Sequence, residues 1–170
     1  MGILDRFPSD LIRYKLWTEQ IKAEHGSIID FVCRERLHWE PLPPSPATNG
    51  PIFVCRSPIP FANAEDYRIL KNDWPYGVTS NITHLVVWLK TRIPTRESDG
   101  DLTFESRQIL QDFVRRTFEE RLAKDGNSED RVLWFKNWSR LQSVRGLEHV
   151  HVLVRDAPQS ILDEWTKAKG

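Results

Sequence analysis

The chain has 170 residues, of which 39% are hydrophobic and 28% are charged, a composition typical of a globular protein with a sizeable core. Its 24 basic and 24 acidic residues cancel, so neither a nucleic-acid partner nor an anionic membrane surface is expected, because both favour a basic surplus. The sequence has no apolar run of about 18 residues and does not start like a secretory signal, so no membrane span and no export are expected.

The N-terminal part predicts two helices and a loop. Ser9 can cap a first helix, which carries a rough apolar stripe and ends at Gly26. The stripe consists of Leu11, Ile12, Leu16 and Ile21. Ser27 begins a second helix, with Asp30 three residues on in the arrangement of a capping box. Residues 40–51 contain five prolines and a glycine, so they predict a loop.

Strand and helix signals alternate through the rest of the chain. Strands are predicted at 52–56, 66–71, 84–90, 131–136 and 147–155, with an exposed polar loop at 91–102. Thr103 can cap a long helix over 103–124, and a final amphipathic helix is predicted over 159–169. The last three strands should share an antiparallel sheet with the long helix on one face. We therefore predict a single α+β domain, in which a helical extension over 1–50 precedes a core over 51–170.

The strand at 147–155 presents two histidines, His149 and His151, on one face, because side chains alternate along a strand. Val150 and Val152 then point to the opposite face, as residues of a core do. One interpretation is a strand edge that turns two polar side chains to solvent.

Two further interpretations give the histidine pair a chemical role. A metal site needs additional ligands, for which His84 and Asp156 are candidates. Alternatively, one imidazole attacks phosphorus while the other binds phosphate oxygens. Gln142, Ser143 and Gly146, just upstream, would then supply polar side chains and backbone amides.

A turn-rich segment before the strand at 84–90 is the second candidate for binding. Asp73 could accept two hydroxyl groups of a sugar, since a carboxylate offers two acceptor oxygens. Equally, Asn72 and Asp73 could form an Asx turn. Trp74 and Tyr76 could stack on a base or a sugar, or belong to the core.

Taken together, these segments resemble the histidine-triad superfamily of nucleotide-binding hydrolases and transferases. The resemblance rests on Asp73 and Pro75, on the strand HLVVWLK from His84 to Lys90, on Asn137, on Gln142, Ser143 and Val144, and on His149 and His151. It implies a histidine-triad-like (HIT-like) sheet with one long packed helix and two accessory helices. In this comparison His149 is the nucleophile and His151 is the last histidine of the triad.

The sequence departs from that superfamily at three places. Leu147 stands where the first histidine of the triad is expected, and Trp88 with Leu89 replaces a proline. The spacing around the phosphate loop also differs, being short from Asn137 to Gln142. These departures imply a different leaving group or a loss of catalysis.

Most of the chain is also similar to the fungal family of N-acetylglucosamine-induced proteins. The segments NDWPYG, HLVVWLK, WFKNW and EHVHVLVR carry this resemblance. It implies a cytoplasmic protein, as do Cys33 and Cys55, which lack a CxxC spacing and are expected to be reduced thiols. The histidine-triad resemblance implies a homodimer, unless the N-terminal helices cover that surface.

The sequence therefore predicts a protein that binds a nucleotide or a nucleotide-sugar and hydrolyses or transfers it through His149 and His151, without a cofactor or a metal. The predicted substrate-binding residues are Asn72, Asp73, Trp74, Tyr76, His84, Lys90, Asn137, Gln142 and Ser143. One alternative is a catalytically inactive sensor of the same fold, and another is a metal enzyme with histidine ligands.

Overall fold

A four-stranded antiparallel sheet forms the centre of the protein. The computed structural model describes residues 6–48, 50–126, 130–137 and 146–167. The strands are β1 (Tyr67–Lys71), β2 (Ile82–Leu89), β3 (Val132–Phe135) and β4 (His149–Arg155). Their order in the sheet is β1-β2-β4-β3, so β4 is hydrogen-bonded on both sides. The sheet and its helices confirm the predicted α+β class.

Helices precede the first strand, separate β2 from β3 and follow β4 in the sequence. They are α1 (Pro8–His25), α2 (Ile28–Phe31), α3 (Phe104–Val114), α4 (Glu120–Ala123) and α5 (Gln159–Thr166). A π-helical segment, Val32–Leu37, continues α2, and another, Arg115–Glu119, joins α3 to α4 in one long helical stretch. A short 3₁₀ turn, Ala64–Asp66, precedes β1.

Each face of the sheet packs on a different group of helices, because side chains alternate along the strands. The first face lies against the long helical stretch and α5, in a cluster that includes Val87, Val150, Val152, Leu110 and Phe118. The second face lies beneath the N-terminal helices and contributes Val86 and Trp88 to a separate cluster with Ile28, Val32 and Leu147. The predicted position of the long helix on one face is confirmed, and Val150 and Val152 are 1% and 0% exposed.

Three predicted helix boundaries rest on side chains or backbone groups that the structure places as expected. The hydroxyl oxygen of Thr103 accepts from the backbone N–H of Ser106, and that of Ser27 accepts from Asp30. Gly26 follows α1 with a φ of +84°, a conformation that glycine adopts without a steric penalty. Ser9, in contrast, lies inside the first turn of α1 and makes no capping hydrogen bond.

The predicted strand at 52–56 is wrong. At its start the carbonyl oxygen of Ile52 accepts from the backbone N–H of Leu42, and at its end the N–H groups of Arg56 and the following Ser57 donate to the Asp66 carboxylate, at 2.8 Å each. Asp66 is only 1% exposed, and each of its two carboxylate oxygens accepts one of these N–H groups. The segment is therefore held against the start of β1 without joining the sheet.

The predicted apolar stripe of α1 is also wrong in part. Ile12 and Leu16 are 62% and 63% exposed, whereas Ile21 is buried. The side of α1 that faces the protein carries Trp17 and Ile21, four residues apart, and Trp17 packs against Phe31. Residues 91–102, predicted as an exposed loop, bury Ile93 and Leu102.

Candidate functional site

A cavity of about 230 Å³ lies between the histidine-bearing face of the sheet and the N-terminal helices. The sheet contributes Leu70, Val86, Trp88, His149 and His151 to its walls. The opposite side comes from Arg6, Tyr14, Trp17, Ile28, Val32 and Arg36, and Lys71, Asn72, Asp73 and Trp74 complete the lining. His149 and His151 are only 4% and 6% exposed, so the interpretation of the pair as a solvent-facing strand edge is wrong.

Hydrogen bonds assign the proton positions on His84 and His151. The backbone N–H of Tyr76 donates to Nδ1 of His84 at 3.2 Å, so the proton of a neutral His84 lies on Nε2. That Nε2 lies 2.8 Å from Nδ1 of His151 and donates to it. The proton of His151 therefore lies on Nε2, and the side-chain nitrogen of Asn137, 3.4 Å away, is a neighbouring donor rather than its acceptor.

His149 adopts the opposite tautomer. Its Nδ1 lies 2.8 Å from the carbonyl oxygen of Leu147, which only accepts, so Nδ1 carries the proton. Its Nε2 keeps a lone pair and has no hydrogen-bond partner among the described residues. The ring packs on Trp88, with 4.8 Å between the centroids. Leu147 thus acts on His149 through its backbone carbonyl group.

Burial keeps all three imidazoles neutral at pH 7. It lowers the pKa of His84 to about 4, with a smaller contribution from the charge of Arg6. Burial likewise lowers the pKa of His151 to about 2, assisted by His149, His84 and Arg6. Burial also lowers the pKa of His149, although the hydrogen bond to Leu147 opposes it in part. A neutral imidazole with a free lone pair is the nucleophilic form.

Cationic side chains that the sequence analysis did not single out lie at the rim of the cavity. Arg6 donates through Nε to the carbonyl oxygen of Trp74 at 3.1 Å and lies over the ring of Tyr14. Arg36 donates to Asp73 at 2.8 Å, and Lys71 also lines the cavity. Three cations against one carboxylate make this rim favourable for an anion. No local motif marks Arg6 or Arg36, since only the packing of the N-terminal helices brings them here.

The predicted turn segment borders the cavity, but its side chains already have partners. Asn72 forms the Asx turn considered as one interpretation, with its side-chain oxygen accepting from the backbone N–H of Trp74 at 2.9 Å. Trp74 packs against Tyr14 and Trp17 of α1. The hydroxyl of Tyr76 lies 2.8 Å from the side-chain nitrogen of Asn137.

The remaining predicted residues divide into three groups. Asn137 lies beside the histidine cluster, formed by His84, His149 and His151, with its side-chain nitrogen 3.4 Å from Nε2 of His151. Lys90 lies away from the cavity, with its Nζ 5.4 Å from the ring centre of Trp39. Gln142, Ser143 and Val144 lie outside the described residues.

Within the described ranges, His, Cys, Asp and Glu side chains form no group of three or more that could hold a metal ion. The histidine cluster explains part of this result. Nε2 of His84 and Nδ1 of His151 are hydrogen-bonded to each other, so neither is directed at a shared ion together with His149. In the same described ranges, no helix is long and apolar enough to cross a membrane.

The chain matches one family model and is similar to two fungal proteins. The family model described as "Protein of unknown function (DUF3605)" matches residues 1–155. N-acetylglucosamine-induced protein 1 of Candida albicans is 30% identical over 172 aligned positions, which cover 96% of this chain and 66% of that protein. This chain thus spans just under two thirds of the length of that relative.

An uncharacterized protein of Saccharomyces cerevisiae is 31% identical over 94 residues, covering 55% of this chain and 46% of that protein. The crystal structure of HTC1 superposes with a TM-score of 0.62 at 23% identity, covering 98% of this chain and 80% of that one. The two chains therefore share a fold.

Proposed function

We propose that this chain, which belongs to the DUF3605 family, binds a nucleotide or a nucleotide-sugar with its phosphate in the cavity lined by His149 and His151 (the histidine cavity) and acts on it at phosphorus. A HIT-like architecture is part of this proposal. The observation that carries it is the state of His149: a buried, neutral imidazole whose Nδ1 is fixed by the Leu147 carbonyl and whose Nε2 retains its lone pair.

In the proposed reaction, Nε2 of His149 attacks phosphorus and forms a P–N bond. The bond from phosphorus to the leaving oxygen breaks, and that oxygen takes the electron pair. The positive charge that develops on the imidazole is stabilised by the Nδ1–H donating to the Leu147 carbonyl. Water then attacks the phosphoryl group in hydrolysis, or an acceptor hydroxyl does so in transfer, and Nε2 is released.

The other groups of the cavity bind and orient the substrate in this proposal. Arg6 and Arg36 attract the phosphate from the rim, where their charges lie next to the entrance. His151 presents its Nε2–H to a phosphate oxygen, and the side-chain N–H of Asn137, whose nitrogen lies 3.4 Å from this Nε2, is a second donor to it. Asp73 accepts hydroxyl groups of the sugar while it remains paired with Arg36. Gln142 and Ser143 contribute to phosphate binding.

Amino-sugar nucleotides are the substrates to test first, because the Candida albicans relative is named as induced by N-acetylglucosamine. Purified protein is incubated with UDP-N-acetylglucosamine, other nucleotide-sugars and dinucleotides, and products are separated by anion-exchange chromatography. We expect wild-type turnover of at least one compound and only background with His149→Ala. The matched control is His25→Gln, which removes an imidazole outside the cavity. Equal turnover in wild type and His149→Ala would refute the mechanism.

Two observations favour a second candidate, a binding module without catalysis. Leu147, which the histidine-triad resemblance puts at the first triad position, is 1% exposed within an apolar cluster. Burial also lowers the pKa of His151 to about 2, so this imidazole is a poor proton donor to a leaving group near neutral pH. In this case, incubation with a nucleotide-sugar should raise the unfolding temperature of the protein, and no product should form. Product formation that depends on His149 eliminates this candidate.

A further inference from the structure

A second concave site lies on the other side of β1 from the histidine cavity. We propose that this basic cleft binds a small phosphate monoester with a flat or apolar body. Its volume is about 580 Å³, and none of its lining residues also lines the histidine cavity. Small-molecule sites typically measure about 300–1,000 Å³. The side chains that carry the proposal are Arg56, Arg68, Lys90, Lys167, Trp39 and Trp165.

The charge of the basic cleft favours an anion. Four cations line it, and Glu65 is the one carboxylate among its lining residues. Glu65 is already paired with Arg56, at 2.7 Å. Arg68, Lys90 and Lys167 form no ion pair within the described part of the chain. Three cationic groups thus converge without a counter-ion, an arrangement that a doubly charged phosphate ester would neutralise.

Arg68 supplies an independent observation. One terminal nitrogen donates to the carbonyl oxygen of Leu37 at 3.1 Å, which fixes the guanidinium in place. Its Nε is buried and has no hydrogen-bond partner among the described residues. Because a buried atom is out of a ligand's reach, the available donor is the second terminal nitrogen, which is not among the buried atoms and has no hydrogen-bond partner among the described residues. It can donate to an oxygen atom of a ligand in the cleft.

The aromatic residues define the uncharged part of the ligand. Nζ of Lys90 lies 5.4 Å from the ring centre of Trp39, so the tryptophan holds the ammonium group at the wall of the cleft. A second tryptophan, Trp165, contributes to the same lining. Trp165 is only 7% exposed and packs on Phe118, so it adds apolar wall, and the accessible ring is that of Trp39. A flat or apolar body in contact with Trp39, with its phosphate between Arg68 and Lys90, uses both features of the cleft.

Isothermal titration calorimetry tests the proposal, with phenyl phosphate, inorganic phosphate and phenol as probes at constant ionic strength. We expect saturable binding of phenyl phosphate that is at least about tenfold tighter than binding of inorganic phosphate or phenol. Lys90→Gln and Arg68→Gln should each weaken it by about tenfold or more, since each removes a charged partner. Lys167→Gln, at an exposed position, serves if the Arg68 variant does not fold.

Two controls separate this site from the rest of the protein. Lys124→Gln removes an exposed cation outside the cleft and should bind phenyl phosphate as wild type does. His149→Ala should also bind normally, so failure of the proposed catalytic function leaves this result unaffected. Absence of saturable binding, equal binding of the three probes, or loss of binding in His149→Ala would each overturn the proposal.

Discussion

Replacing His84 with asparagine should reduce the loss of stability that the protein suffers in mild acid. In the unfolded chain a histidine has a pKa of about 6.5, whereas in the fold burial lowers the pKa of His84 to about 4. Below the unfolded value the unfolded state gains a proton that the folded state does not bind. The contribution of His84 to stability is therefore complete above about pH 6.5 and is lost as the pH falls towards the folded pKa.

The magnitude follows from the width of that window. Each such histidine decreases the free energy of unfolding by about 1.4 kcal/mol per pH unit, or about 2 kcal/mol between neutral pH and pH 5. His84 and His151, whose pKa is lowered to about 2, together account for about 4 kcal/mol, and His149 shifts in the same direction. In His84→Asn, the decrease in the free energy of unfolding between neutral pH and pH 5 should be smaller by about 2 kcal/mol than in the wild type.

Urea denaturation at intervals from about pH 7.5 to about pH 5 measures this difference, and the lower limit keeps most carboxylates ionised. The substitution also removes the hydrogen bond to His151, so the slope with pH is compared rather than the absolute stability. His38→Asn makes the same substitution at an exposed position and is the matched control. Identical slopes for wild type and His84→Asn would refute this account of the cluster.

Three stability measurements test other parts of the fold. Asp66→Ala removes the acceptor of two backbone N–H groups and should lower the free energy of unfolding by about 2–3 kcal/mol in urea; a change within error would mean that water replaces the carboxylate. Gly50→Ala should lower the unfolding temperature more than Gly100→Ala. Both glycines have positive φ, but only at Gly50 would a Cβ meet the backbone of Gly146, so equal shifts would contradict that contact. Thr103→Ala should lower the free energy of unfolding by about 1 kcal/mol because the helix cap is lost, whereas Thr103→Ser should keep most of that stability.

The sequence was informative where one local pattern determines the structure. Runs such as HLVVWLK and HVHVLVR are rich in β-branched residues and become β2 and β4, and the valines of the second run enter the core as predicted. Helix caps such as Thr103 depend on a residue three positions away, so they can also be predicted from the local sequence. The segment at 52–56 has the same composition as a strand, but its ends pair with Leu42 and with the Asp66 carboxylate rather than with a strand, and these contacts are distant in sequence.

The candidate site was predictable only on the side that the sheet provides. The spacing of His149 and His151 placed both imidazoles on one face, and the order of the turn segment brought Asn72 and Asp73 close to them. The residues that line the opposite side of the cavity come from N-terminal helices that are distant from β4 in sequence. Trp17 and Arg36 reach the cavity through tertiary packing, which periodicity does not encode, and the exposed Ile12 and Leu16 made the inner side of α1 harder to identify.

The position of β4 between β2 and β3 has a consequence for the persistence of the site. Amide hydrogens of a strand bonded on both sides exchange with solvent chiefly through the rarest and largest openings of a protein. The two imidazoles of β4 therefore belong to the part of the molecule that opens last, whereas Arg6 and Trp17 belong to N-terminal elements outside the sheet. Local fluctuations can alter how the cavity is covered while the spacing of His149 and His151 is preserved.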